Sequence, residues 1–279
     1  MKSSRLIAII LTVVFLISVI GCAGNGNEIK PENTEEGTAM QDTNTALGKW
    51  LDSHGIGYEM IDSSTASARY VDELEKGKAE GYTPVIVVDD GTEDSHLLFM
   101  FNEYDVEALL KTELPDGKDY LDGVIEEYRN PSDPSLDALD FDQMRDESAG
   151  SMELHELSSY LLQEAEGSGA PVRLVKVPTD KPWEVVLYLP FGGWNACPEP
   201  IKMAAVCKLW YEKYSACPAL ITGEEMNFYL PSPVPESEVG ETALEHVAFC
   251  EDSLFQGMGY MNALEDYIKA STFWYFWWD

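Results

Sequence analysis

Pro182-Trp183-Glu184-Val185-Val186-Leu187-Tyr188-Leu189-Pro190-Phe191-Gly192-Gly193-Trp194-Asn195-Ala196-Cys197-Pro198 reads as an apolar strand, a Gly-Gly turn and the start of a helix. Pro198 or Pro200 suits the first turn of that helix, which runs to Tyr214. Met203, Val206, Cys207, Trp210 and Tyr214 fall on one of its faces at helical spacing, which marks them as core. Downstream, residues 219–222 and 226–230 read as a strand pair turned at Gly223-Glu224. A Pro-rich loop (Pro231, Pro233, Pro235) leads to a helix over 236–251, on which His246 and Cys250 stand at i and i+4. A last helix spans 260–269, and Phe273-Trp274-Tyr275-Phe276-Trp277-Trp278-Asp279 closes the chain as an aromatic strand with both faces apolar.

Upstream, residues 173–177 form a strand that residues 178–182 would join to 183–189 as an antiparallel hairpin. A helix is predicted over 152–165. Before it, Asn130-Pro131-Ser132-Asp133-Pro134-Ser135 breaks the chain, and the acidic stretch 131–151 reads as a linker. Residues 46–130 form an α/β lobe. It has a helix over 46–54 capped at Gly55, a strand over 57–62, a helix over 68–79 with Val71, Leu74 and Ala79 inward, and the β-branched run 83–88 of a buried strand. Helical segments follow at 105–111 and 119–128. The fold class is α+β, a mixed sheet covered by helices, with room for two lobes joined at 131–151 and a C-terminal domain over 152–279.

The first 22 residues stand apart. Lys2 and Arg5 precede an apolar run from Leu6 to Ile20, too short for a comfortable span, ending in Val19-Ile20-Gly21-Cys22. That is the pattern of a lipoprotein signal, with Cys22 the lipidated residue that anchors the mature chain in the bilayer. Residues 23–45 are Gly, Asn, Glu and Thr with little apolar content, a flexible tether. The expected location is the extracytoplasmic face of the cell membrane.

The formal charge is −32, from 18 basic and 50 acidic residues among 279. Nucleic acid and anionic lipid surfaces both require Lys/Arg patches, so they are excluded as electrostatic partners. A basic protein or peptide suits this balance, and an immunity-like role against a basic toxin is one form of it.

Several pieces together resemble one bacterial family, the domain of unknown function 4253. They are Leu189-Pro190-Phe191-Gly192-Gly193-Trp194-Asn195-Ala196-Cys197-Pro198, Trp210 to Tyr214, Glu245 to Asp252, Gln256-Gly257 and Trp274 to Asp279, within residues 183–279. Gly81-Tyr82-Thr83-Pro84-Val85-Ile86-Val87 looks like the region that usually precedes it. The resemblance implies a fold unit, since the family's name records no activity. The lipoprotein signal departs from the cytoplasmic-looking proteins associated with it.

With Cys22 lipidated, Cys197, Cys207, Cys217 and Cys250 remain, an even number in an exported chain. Cys197 lies near a helix start, where free amides lower a thiol pKa. His246 as base and Asp252 as orienter would complete a hydrolase arrangement. The same residues also fit a Cys197–Cys250 disulfide or buried thiols. A metal site of Cys197, His246 and Cys250, with Asp252 or Asp279 as fourth ligand, fits too. Gly192, Gly193, Trp194 and Asn195 could form the rim of a binding groove. Four carboxylates within 89–94 lack the calcium-loop spacing. No phosphate loop, HExxH or Gly-x-Ser-x-Gly occurs, so no cofactor is expected. The leading expectation is a non-enzymatic binding module, with a cysteine- or metal-dependent hydrolase as the alternative.

Overall fold

Six strands make one mixed sheet: β1 (Gly57–Ile61), β2 (Thr83–Val88), β3 (Val172–Val177), β4 (Cys217–Ile221), β5 (Glu225–Tyr229) and β6 (Phe273–Trp277). Their spatial order is β1-β3-β2-β4-β5-β6. Among the described strands only the β2–β4 pair is parallel. The computed structural model describes residues 45–88, 105–150, 152–168 and 171–279. The signal segment with Cys22, the tether up to residue 44 and the acidic run 89–94 lie outside the described residues.

The described helices are α1 (Ala46–Ser53), α2 (Ala66–Glu80), α3 (Val106–Lys111), α4 (Gly117–Arg129), α5 (Tyr160–Ser168), α6 (Val185–Tyr188), α7 (Pro200–Tyr214), α8 (Val239–Phe249) and α9 (Met261–Ala270). A π-helical turn, Ser253–Met258, links α8 to α9. Strand alternation sorts the core into two layers. Val85, Val87, Val175, Val177, Phe228, Trp274 and Phe276 point to one face, under α1, α4 and α6–α9. Ile86, Val88, Val172, Leu174 and Phe273 point to the other, under α2 and α5. The protein is α+β with helices on both faces of the sheet, and β6 is the aromatic C-terminal strand.

Side-chain caps start several helices as their sequences suggest. Thr45 accepts from the Gly48 amide, Asp105 from Ala108, and Asp116 from Lys118 and Asp119. Thr45 also accepts from buried Arg173 at 3.0 Å, so the last residue of the expected tether belongs to the fold. Gly117 lets α4 approach α7 closely, for a Cβ there would strike the Ala205 carbonyl.

Four expectations are corrected. Residues 183–189 are not a strand: Pro182–Glu184 is a 3₁₀ turn running into α6. Pro182 sits at the first position of that turn, and Val185, Val186 and Leu187 are all buried. There is therefore no hairpin with β3, whose partners are β1 and β2. Residues 152–159 are not helical, because tertiary partners take their backbone groups. Leu154 N donates to Ser271 Oγ, its carbonyl accepts from Thr272 and Phe273, Leu157 N donates to Ser67 Oγ, and Ser158 N donates to Asn227 Oδ1. In α2 the buried residues are Ala66, Tyr70, Glu73 and Gly77, whereas Val71 and Ala79 are exposed. Finally, α8 stops at Phe249, and Cys250 is extended at φ −149°.

The described part of the expected linker, residues 131–150, is fastened to the rest. Phe141 is buried in the main core, Arg145 forms a two-pronged ion pair with Glu265, and Met144 O accepts from Met261 N. Because β3 lies between β1 and β2, the sheet is continuous across that stretch.

Candidate functional site

The Gly-Gly turn works as a fold-back. Gly192 and Gly193 have φ of +104° and +88°, and a Cβ on Gly192 would collide with the Pro198 carbonyl. Gly193 N–H donates to the carbonyls of Cys197 and Pro198, and Cys197 N–H to that of Trp194. Asn195, at φ +46°, then reaches out, and its Nδ2 donates to Asp279 O at 2.7 Å. Asp279 N donates to Asp252 Oδ2 at 3.1 Å, and Gln256 Nε2 donates to Asp252 Oδ1 at 2.7 Å. Three stretches remote in sequence thus meet at one rim. Of the four expected rim residues, Gly193 and Asn195 are exposed, Trp194 is half-buried against Phe191, and Gly192 is buried.

Cys197 lies beneath this rim, 5% exposed, and Cys250 is 1% exposed. Burial drives the Cys197 thiol pKa well up, and neighbouring Cys250 adds to it against the Gly193 amide. Burial likewise pushes Cys250 up to about 11, while its Sγ donates to the Trp277 carbonyl. The expected lowering by a helix start is absent, because Cys197 precedes α7 by three residues in an apolar setting. All four described cysteines are free thiols.

His246 is elsewhere, in an aromatic box made by Trp274 (4.5 Å between ring centroids), Phe276 (4.9 Å) and Trp210 (5.3 Å). Its Nδ1 bonds Thr242 O at 2.9 Å, and its Nε2 has no partner among the described residues. Burial drives its pKa down to about 3, against the Thr242 bond. Among the described residues no side-chain hydrogen bond joins His246 to Cys197, Cys250 or Asp252, the one link being Cys250 N–H to the His246 carbonyl at 2.8 Å, and no group of three or more metal-binding side chains comes together. The i, i+4 pairing of His246 and Cys250 dissolves because α8 ends between them.

Residues 173–279 match the family described as Domain of unknown function (DUF4253). No curated protein and no solved structure matches. The DUF4253 part holds β3 to β6 with the rim, the thiols and the aromatic box. It also holds buried carboxylates that alternation on a strand or helix did not single out. Glu225 accepts from Ser159 Oγ, Tyr160 N and Tyr275 OH, and Glu245 from Trp210 Nε1 and Lys213. The signal for Glu245 was its place in the Glu245–Asp252 piece; for Glu225 there was none.

Outside the DUF4253 match lies a different surface. From Asp105 to Glu147 the chain carries fourteen carboxylates and four basic side chains, and thirteen of those carboxylates are exposed. The cations are engaged internally: Lys111 with Glu107, Lys118 with Asp122 and Glu241, Arg145 with Glu265, and Arg129 over the Phe141 ring. The segment is held against the helical layer by Leu121, Ile125 and Phe141. No described helix is long and apolar enough to cross a membrane.

Proposed function

We propose that this protein is a lipid-anchored, extracytoplasmic binding module that engages a basic protein or peptide through the acidic face of residues 105–147. The observation that carries the reading is the exposed carboxylate excess there, with every cation of the segment already engaged. A one-signed surface on a packed scaffold raises the encounter rate of an oppositely charged partner, in a salt-dependent way. The hydrolase alternative gains nothing from the geometry, since burial keeps Cys197 and Cys250 protonated and His246 neutral and apart.

The test uses residues 23–279 with a lysine-rich peptide and a glutamate-rich control. Binding of the lysine-rich peptide alone, weakening steeply with salt, is expected. Asp119→Asn, Glu126→Gln, Asp137→Asn, Asp142→Asn and Glu147→Gln together should lower affinity by at least about tenfold, given the steep charge dependence of such encounters. Unchanged affinity in that variant would remove the acidic face from the reading. Anchoring is tested separately on the full chain: Cys22→Ala should move the protein out of the membrane fraction, and continued retention would refute lipidation at Cys22.

A further inference from the structure

A cavity of about 410 Å³ opens where β2 and β4 begin, between α2, the end of α7 and the loop before α6. That is within the size of ligand pockets, about 300–1,000 Å³. Its walls are flat rings: Tyr82, Tyr211 and Tyr229 with Pro84, Pro182 and Pro231. Two kinds of tyrosine line or back it. Tyr82 and Tyr70 spend their hydroxyls on Glu73 and on the Pro218 carbonyl. Tyr211 and Tyr229 are half-exposed, and their hydroxyls have no hydrogen-bond partner among the described residues. Trp183 braces the Tyr211 ring at 5.3 Å, and Phe273 braces Tyr229 at 5.2 Å, so both rings are held in place.

The mouth is acidic. Glu75 and Asp180 line it, and the one lysine there, Lys78, is paired to Glu75 at 2.9 Å. An anionic ligand would meet two carboxylates and no free cation. What fits is an apolar, ridged ligand that offers acceptors to two phenol donors and a positive charge to the rim.

We infer that this groove binds an extended proline-rich peptide carrying an Arg or Lys beside its prolines. A polyproline II segment has no internal hydrogen bonds, so its carbonyls are free to accept from Tyr211 and Tyr229. Its proline rings stack between aromatic and proline walls, and its pre-set backbone loses little entropy on docking. The flanking cation meets Asp180, the carboxylate at the mouth that Lys78 does not hold. The groove is a different surface from the 105–147 face and stands or falls independently of it.

The experiment is fluorescence anisotropy with residues 23–279 and a labelled decapeptide of alternating Pro-Pro-Leu units ending in Arg. A control peptide has every proline replaced by alanine. Saturable binding of the first peptide and at least tenfold weaker binding of the control are expected. The double variant Tyr211→Phe, Tyr229→Phe keeps the rings and should weaken binding about tenfold, through two lost hydrogen bonds to the peptide, while leaving the unfolding midpoint in place, because neither hydroxyl bonds another described residue. The five-carboxylate variant of the 105–147 face should bind the proline peptide as the parent does. No binding, equal binding of the two peptides, or binding indifferent to the tyrosine variant overturns the groove. Binding that follows only the 105–147 charges overturns the groove and leaves the acidic-face reading in place.

Discussion

The aromatic centre beneath β5 and β6 and the acidic face over α4 are opposites. At the centre, Trp210 is fully buried and touches Phe228, Phe249, Trp274 and Phe276 at ring separations of 4.9–5.6 Å. Even its Nε1–H is used, on Glu245, which in turn holds Lys213. On the acidic face the side chains touch mostly water and one another. The first region lies within the matched family and the second before it. The lesson is that the striking residue types of the family region, Trp, Cys and His, are consumed by packing. The exposed surface is made by less distinctive residues.

That contrast can be broken in a graded way. Trp210→Ala should be the most damaging change, costing roughly 3–5 kcal/mol, because it removes the ring that the other aromatics pack around and takes the donor from Glu245 Oε2. Denaturant unfolding reads it, and a loss under about 1 kcal/mol would mean the centre is not the keystone. Acid comes next. His246 has a folded pKa of about 3 against 6.5 unfolded, so the unfolded chain binds the extra proton between those values. Stability should therefore fall as pH drops from about 6.5 towards 3, by up to roughly 4 kcal/mol at 1.36 per unit. Replacing His246 with Phe should flatten that part of the profile, and an unchanged slope would assign the loss to other groups.

Glu73 adds a second, more acidic step. Burial raises its pKa, but Tyr82, Lys176 and Lys76 outweigh that and hold it at about 2, so its contribution is present above 4.5 and is lost as pH falls through 2. Glu73→Gln should remove that step. Thiol labelling gives a kinetic comparison: Cys197 and Cys250 should react slowly in the native protein and promptly on unfolding, since thiolate supply sets the rate. A fast native thiol at Cys197 would reopen the hydrolase reading. Smallest of all, the five neutralisations on the acidic face should change stability by less than about 0.5 kcal/mol, as surface charges do.

The sequence made some of this legible and hid the rest for physical reasons. The run Thr83–Val88 was readable from its β-branched residues, the helix 200–214 from apolar residues at helical spacing and the strand 273–277 from its run of aromatics. Residues 183–189 were not, since a short run buried all round has no period to separate strand from helix. The clue was Pro182 with Glu184 in the first turn. In α2 the buried face follows Tyr70 and Glu73, not Val71, because Glu73 finds Tyr82, Lys76 and Lys176. The Gly-Gly fold-back was visible as glycines, but its tie to Asp252 and Asp279 is a contact between distant stretches. Spacing along a helix put His246 beside Cys250; only the point at which α8 ends separates them.

The strand order carries one further consequence, for synthesis on the ribosome. Neither β1 nor β2 has its neighbour when the first 150 residues have emerged, because the two never touch and β3 fills the gap. Conversely, a fragment cut at the family boundary keeps β3 and β4 but loses the strand that joins them. Neither half carries the whole sheet. The growing chain has to hold its early strands unpaired across roughly a hundred residues, the sort of long-range closure that slows folding, and completes its sheet only when the family region arrives.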